Sequence, residues 1–322
     1  MSDLLAIYRH ALRARLLDER LSVSSRAGHI GFHPDGQQAE TVIVAATLAL
    51  SENDWVFPTA RDHAAALTRG VTFDAYLDHV VGNARDALSG HAAPGCYCSR
   101  EKRIAPPTSL LSQHLTQAMG LAWALKLRKE DAVVLALLPE TAADAGDFHS
   151  AVNFAGVTKA PIVFVVRTDG SEAPAPDVEV SDKGIAYAVP CVDVSGDPLH
   201  VLTAVRAAAA LARRGEGPTL IEARVSLGTD SADRTSGASR RDPLSLVRQR
   251  LIEDGAFTES DDMRHRRELL GEIEAAFSDA LASGVPPLDS IFEHVHAELP
   301  PHLVRQREEL RALHPDASGE PA

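Results

Sequence analysis

The 322 residues of the chain are enough for one large α/β domain or two smaller ones, and a hydrophobic content of 45% supplies an ordinary globular core. The formal net charge of -13 argues against binding to nucleic acid or to an anionic membrane surface, because both require a basic face. Only three cysteines occur, too few for a disulfide framework, and no apolar run approaches the roughly 18 residues of a membrane span, so we expect a cytoplasmic protein.

The first third of the chain shows helical periodicity with one extended interruption. An amphipathic helix is predicted over residues 3–27 and a second, rich in Ala and Val, over 36–50 with Asp35 as its N-cap. Residues 54–58 are predicted to be extended. Further helices are predicted over 62–69, 72–83 and 112–127, and the stretch 90–107, which lacks periodicity, is predicted to be a loop.

Two continuous apolar runs, residues 131–138 and 161–166, flank a helical segment in the middle of the chain. This pattern is typical of a βαβ unit whose parallel strands are covered on both faces. Ligands of open parallel sheets bind beyond the carboxyl ends of the strands. The turns at those ends contain the carboxylates Glu140 and Asp169.

The remaining chain continues the alternation and then becomes helical. Strands are predicted over 189–195 and 219–225, with a helix over 198–213 between them, so the fold class is α/β with a parallel sheet flanked by helices. Residues 226–242 are small and polar, which indicates either a flexible loop or a domain boundary. Helices follow at 243–254, 262–283, 288–297 and 301–312. We therefore predict an α/β domain over 1–242 and a helical extension over 243–322 packed on the same domain.

The sequence GDFHSAVNFA at residues 146–155 resembles the GDFHEALNFAA stretch of the α subunits of 2-oxoacid dehydrogenase E1 components. Several other segments resemble the same family in the same order: LDER at 17–20, GFH at 31–33, GQQA at 36–39, DWVFP at 54–58, GPTLIEA at 217–223 and residues 291–303. The resemblance covers nearly the whole chain. It implies a thiamine-diphosphate-binding fold, and thiamine diphosphate and Mg2+ as cofactors.

The resemblance also assigns metal ligands. In the family an acid, an oxygen-bearing residue after the next strand and a backbone carbonyl hold the cation, and here these are Glu140, Asp169 and the carbonyl of Ser171. The family's flanking glycines are replaced by Pro139 and Thr141, and proline removes an N–H donor near the phosphates. The alternative is that the two acids are merely solvated at strand ends.

The same mapping implies further cofactor contacts. Arg61 stands where the family has the arginine of a Tyr-Arg pair, and the tyrosine is replaced by alanine. Ser109 and Leu111 lie where the family holds the aminopyrimidine ring, and Thr141 borders the diphosphate. In the absence of a cofactor, an arginine at a helix start is usually solvated and a leucine usually belongs to the core.

The proton-transfer residues depart from the family, which has two histidines at the places of Cys96 and Thr229-Asp230. Cys96 is a candidate acid or nucleophile provided that its pKa is lowered, and Asp230 is a candidate proton acceptor. His91 is a possible replacement for the missing imidazoles, although a loop histidine is more often only solvated.

The resemblance implies an E1 α subunit that decarboxylates a small 2-oxo acid oxidatively together with an E1 β-type subunit, in an α2β2 heterotetramer. The acyl group would pass to a lipoyl-bearing acyltransferase. Two alternatives stay open at this point. One is a non-catalytic or repurposed paralogue that acts as an assembly partner, and the other is carboligase-type chemistry.

Overall fold

Five parallel strands form the centre of the fold in the computed structural model, which describes residues 2–36, 38–169, 179–225 and 242–314. Their order across the sheet is β1-β2-β3-β5-β4. The strands are β1 (Trp55–Phe57), β2 (Val134–Pro139), β3 (Ile162–Asp169), β4 (Cys191–Ser195) and β5 (Thr219–Val225). The predicted parallel α/β fold is thereby confirmed, and the βαβ unit lies at β2 and β3.

The helices of the described chain cover both faces of this sheet. They are α1 (Ser2–Arg26), α2 (Glu40–Leu48), α3 (His63–Thr68), α4 (Phe73–Val81), α5 (Gln113–Leu127), α6 (Gly146–Thr158), α7 (Val180–Ala186), α8 (Pro198–Arg213), α9 (Pro243–Glu253), α10 (Glu259–Ala282) and α11 (Pro301–Leu313). Short 3-10 helices occupy Glu140–Asp144 and Leu288–Phe292.

Alternate side chains of the strands enter two separate hydrophobic clusters, as the strand period of two requires. Leu135 and Val165 pack with side chains of α1, α2 and α8 on one face. Ala136 and Phe164 pack with side chains of α5 and α6 on the other. This double coverage explains why the central strands are apolar without interruption.

Helices α9 and α10 pack against the N-terminal helices. Phe277 of α10 is buried in the same cluster as α1, and Tyr8 of α1 donates a 2.5 Å hydrogen bond to Asp262 Oδ1. Helix α11 has no buried residue, and Arg311 of this helix pairs with Asp289. The division of the chain at residue 242 stays a prediction.

Two helix predictions need correction. The helix predicted over 36–50 begins only at Glu40, and Asp35 does not cap it, because that residue contacts Arg61 instead. The helix predicted over 288–297 is reduced to the 3-10 turn, and His294 adopts a left-handed φ of 65° that a helix cannot continue. Helix α7 was not predicted. None of the helices described is both long and apolar enough to cross a membrane.

Candidate active site

The carboxyl ends of β2 and β3 bring the two predicted metal-binding acids to one edge of the sheet. Pro139 pairs with Arg167 in the parallel register, so Glu140 lies one residue beyond this pair and Asp169 lies two residues beyond it. Glu140 is half-buried at the start of the 3-10 helix. Thr141, next to it, is exposed. The strand ends therefore have the arrangement that the sequence predicts.

The metal site itself is only partly within the described structure. No three His, Cys, Asp or Glu side chains gather as a metal site among the residues that were searched, which are the described ones. Ser171 lies outside the described residues, and Asp169 is described by its backbone in β3. Glu140 is thus the one predicted ligand whose side chain lies within the described structure. The assignment of the other two ligands stays a prediction.

A buried ion pair at this edge was not predicted. Arg167 Nη1, at the end of β3, lies 2.8 Å from Asp62 Oδ1, and the two side chains are 6% and 0% exposed. Asp62 also accepts a hydrogen bond from the Thr59 amide at 2.7 Å. The segment after β1 therefore crosses the end of β2 to reach β3. A cation directly after the apolar run 162–166 was the sequence signal for this residue.

Some buried polar atoms near the end of β3 lack a hydrogen-bond partner in the described part of the chain. The contact between Arg167 Nη1 and Asp62 Oδ1 does not have the angles of a hydrogen bond. Neither atom has a hydrogen-bond partner elsewhere in the described part of the chain. The hydroxyl of Thr168 is buried and likewise has no partner there. Because consecutive residues of a strand point to opposite faces, Thr168 and Arg167 lie on different faces of β3. Buried polar groups are normally satisfied, so the spare capacity of the Arg167–Asp62 pair indicates a contact for a polar ligand at this strand end. A guanidinium binds phosphate oxygens, so Arg167 at this strand end fits a diphosphate.

Arg61, the predicted phosphate ligand, is held by the segment that precedes α2. Its Nη1 donates to the Asp35 carbonyl at 2.9 Å and to Asp35 Oδ1 at 3.2 Å. The two side chains are 41% and 58% exposed. An exposed pair of this kind is worth only about 0–1 kcal/mol, so the guanidinium can be shared with a phosphate at little cost.

An open cavity of about 740 Å³ lies beside the loop that contains Cys96. Cys96 and Ser109, two predicted site residues, line it together, with Thr108 and the imidazoles of His91 and His294. His91 Nε2 donates to the Ser290 carbonyl at 2.8 Å. Cys98 and Ser89 also line the cavity, which therefore brings together two thiols, three hydroxyls and two imidazoles.

The thiol does not have the electrostatic surroundings of a reactive cysteine. Burial, and then the neighbouring Cys98, raise the pKa of Cys96 above its ordinary value. The condition of a lowered pKa is therefore not met, and Cys96 remains protonated at neutral pH. Leu111, by contrast, is 51% exposed and is not the core residue that an apolar run usually contributes.

Comparison with known proteins identifies the family. The family model described as dehydrogenase E1 component matches residues 8–289. The chain belongs to the dehydrogenase E1 component family. The predicted resemblance to E1 α subunits is confirmed.

Individual relatives of this E1 chain are α subunits. It is 32% identical to the 2-oxoisovalerate dehydrogenase subunit alpha of Bacillus subtilis, over 91% of this chain and 94% of that protein. The Pseudomonas aeruginosa protein of the same name is 30% identical, over 96% and 81% of the two chains. A solved structure, described as a putative thiamin diphosphate-dependent enzyme isolated from Mycobacterium smegmatis, covers 58% of this chain and 32% of its own at 15% identity, with a TM-score of 0.39.

The structure brings together some of the predicted site residues of the E1 chain. The backbones of Glu140 and Asp169 lie at neighbouring strand ends, and Cys96 and Ser109 line the same cavity. Asp230 lies outside the described residues, as Ser171 does. The roles of the site residues stay predictions.

Proposed function

We propose that this chain is the α subunit of a thiamine-diphosphate-dependent 2-oxo acid dehydrogenase and acts with an E1 β-type subunit in an α2β2 assembly. The relatives named as 2-oxoisovalerate dehydrogenase α subunits support this role. They also favour a small branched 2-oxo acid as the substrate. The observation that carries the proposal is the buried Arg167 guanidinium at the carboxyl end of β3, next to the strand end where Glu140 lies.

Each end of the cofactor would have its own binding residues in the chain. Arg167 and Arg61 would neutralise the diphosphate, and Glu140, Asp169 and the Ser171 carbonyl would hold Mg2+. Thr141 follows Glu140 and would border the phosphates. Pro139 has no backbone N–H to donate, so side chains would make more of the contacts to the phosphates.

Ser109 and the half-exposed Leu111 would contact the organic part of the cofactor beside the cavity. When bound, thiamine diphosphate supplies the nucleophile and the electron sink for decarboxylation of the 2-oxo acid. The lining of the cavity combines proline and alanine side chains with hydroxyls. Such a surface suits a small aliphatic side chain next to a polar reacting group.

In the family, two histidines serve proton transfer, and this chain lacks both of them for the final transfer of the acyl group to a lipoyl-bearing acyltransferase. A thiol with a raised pKa occupies the place of one family histidine, and Asp230 occupies that of the other. This observation favours a second candidate, a repurposed paralogue that decarboxylates or ligates but acylates lipoyl groups poorly. A protonated thiol is a weaker acid than an imidazolium and a poorer general base than an imidazole at neutral pH.

A paired assay on the complex with the β-type subunit from the same genome tests the proposal. Decarboxylation of 2-oxoisovalerate is measured with an artificial electron acceptor, and acylation is measured with a free lipoyl domain. We expect decarboxylation in the complex that depends on thiamine diphosphate and is lost in Glu140→Ala. Asp144→Ala, which removes a 79% exposed carboxylate from the same 3-10 helix, is the matched control and retains activity. No decarboxylation by the complex, with cofactor shown to be bound, would contradict the proposal and favour a non-catalytic role.

A further inference from the structure

One carboxylate, that of Asp18 on α1, holds the segment of residues 33–36 that connects α1 to α2. His33 Nε2 donates to Asp18 Oδ1 at 2.7 Å, and the Gly36 amide lies 3.2 and 3.3 Å from its two oxygens. Both partners must be donors, because an ionised carboxylate only accepts. Burial opposes ionisation, but the hydrogen bonds from His33 and the Gly36 amide help to lower the pKa of Asp18 below its ordinary value.

His63 lies beneath the segment and is buried. Its Nε2 donates to the Ala14 carbonyl at 3.2 Å and lies 3.8 Å from Asp18 Oδ1. Burial lowers the pKa of His63, so the ring is neutral and acts as a packing surface. Asp18 is therefore stabilised mainly by its bonds to the segment of residues 33–36.

The same segment positions Arg61. Asp35 accepts the two hydrogen bonds from Arg61 Nη1 through its carbonyl and its carboxylate. Gly36 packs directly on the peptide of Arg61, since a Cβ at Gly36 would lie 3.6 Å from the Arg61 carbonyl oxygen and 3.0 Å from His63 Cε1. Both the backbone and the side chain of Arg61 thus rest on a segment that is neither helix nor strand.

The loop that contains Cys96 also contacts this segment. A Cβ at Gly95 would lie 3.0 Å from Pro34 Cγ and 3.2 Å from the Ala60 carbonyl oxygen. Gly95 has a φ of +82°, which also favours glycine at this position. The segment is therefore in contact with Arg61 and, through Pro34, with Gly95, which precedes Cys96.

We propose that Asp18 is a positioning residue for the cofactor: its carboxylate fixes residues 33–36, and through Asp35 this segment holds the Arg61 guanidinium ready for the diphosphate. The proposal rests on the proposed function, because it assigns the held guanidinium to thiamine diphosphate. A carboxylate is needed for this task. An asparagine of the same shape would present an N–H group to one of the two donors, His33 Nε2 or the Gly36 amide.

Calorimetric titration of thiamine diphosphate, in Mg2+, into the α–β complex tests the proposal with four variants. These are Asp18→Asn, Arg61→Ala, their double substitution, and the control Glu19→Gln, which removes an exposed carboxylate from the neighbouring position of α1. We expect Asp18→Asn to raise Kd about tenfold, since bonds to a charged group are lost. The kcat at saturating cofactor should change less than about twofold, and Glu19→Gln should match the wild type.

The double substitution separates positioning from general stabilisation. If Asp18 acts through Arg61, the double variant binds the cofactor no more weakly than Arg61→Ala alone. Independent, additive effects of the two substitutions would overturn the proposal. So would a lowered melting temperature of Asp18→Asn with an unchanged Kd, which would show a purely structural role.

Two further outcomes complete the test. If Asp18→Asn does not fold, the exposed substitution Asp35→Ala examines the same connection and should raise Kd about two- to fivefold; an unchanged Kd in that variant would refute the proposal. If the wild-type complex binds no thiamine diphosphate, the proposed function fails as well. Weakened binding by Arg61→Ala together with unchanged binding by Asp18→Asn would overturn only the positioning role.

Discussion

Arg167 and Asp62 form a buried ion pair across the carboxyl end of the sheet, with Nη1 and Oδ1 2.8 Å apart. The pair joins the segment after β1 to the end of β3 without passing through β2. A buried charge that loses its partner is costly, whereas removal of both charges is much less so. This asymmetry leads to the first prediction.

Arg167→Met should lower the free energy of unfolding by about 3–5 kcal/mol, because Asp62 is left buried and unpaired. The double substitution Asp62→Asn with Arg167→Met should recover part of this loss. Denaturation by urea followed by circular dichroism measures both, with Arg128→Met as the exposed control. A double variant less stable than Arg167→Met would show that the pair is not the source of the effect.

The second prediction concerns the thiol of Cys96. Because burial and Cys98 raise its pKa, alkylation by iodoacetamide at pH 7 should be slower than that of a free cysteine and should accelerate as the pH rises above the ordinary thiol range. The rate is measured by mass spectrometry of the peptide that contains Cys96. Modification at pH 7 faster than that of free cysteine would contradict the description of this site.

The third prediction concerns Cys96 together with Asp230, the two residues that stand where the family has histidines. Cys96→His together with Asp230→His should raise acyl transfer to a lipoyl domain more than it raises decarboxylation with an artificial acceptor, since a general acid-base group contributes about 10²- to 10⁴-fold. The two half-reactions are measured on the same complex. Efficient lipoyl acylation by the natural sequence would show that other groups already transfer the proton.

The fourth prediction concerns Glu40, a buried residue that pairs with Arg15 at the start of α2. Burial raises the pKa of Glu40 to about 7, although Arg15 opposes the shift. A carboxyl whose pKa is raised on folding stabilises the native state fully below its unfolded pKa. That contribution is lost as the pH rises towards the folded value. Glu40→Gln should therefore flatten the melting temperature between about pH 4.5 and pH 7, whereas Glu19→Gln should leave the profile unchanged. An unaltered slope in Glu40→Gln would refute the assignment.

The sheet was predictable because burial on both faces leaves a clear sequence pattern. Residues 134–138 of β2 and 162–166 of β3 are apolar at every position, and the register of the two strands places the backbones of Glu140 and Asp169 at the same edge. The start of α2 was not predictable in the same way, because Asp35 is an ordinary N-cap residue by type. Only the folded chain shows that its carboxylate is used by Arg61, 26 positions away.

Several residues of the candidate site were predicted, but their burial and their long-range contacts were not. Family resemblance placed Arg61, Ser109 and Cys96 at the site, but it gave no indication that burial raises the pKa of the thiol. The ion pair of Arg167 with Asp62 joins residues 105 positions apart, and no local pattern encodes a contact of that kind. Burial and long-range pairing are properties of the folded chain.

The central claim is that the strand ends bind thiamine diphosphate with a divalent cation, and calorimetric titration of the cofactor into the α–β complex tests it most directly. The account predicts saturable binding that requires Mg2+. Glu140→Ala and Asp169→Ala should each weaken this binding at least about tenfold, while Asp144→Ala, which removes a 79% exposed carboxylate from the same 3-10 helix, should not. Binding that is unchanged in both site variants, or absent from the wild-type complex, would contradict it.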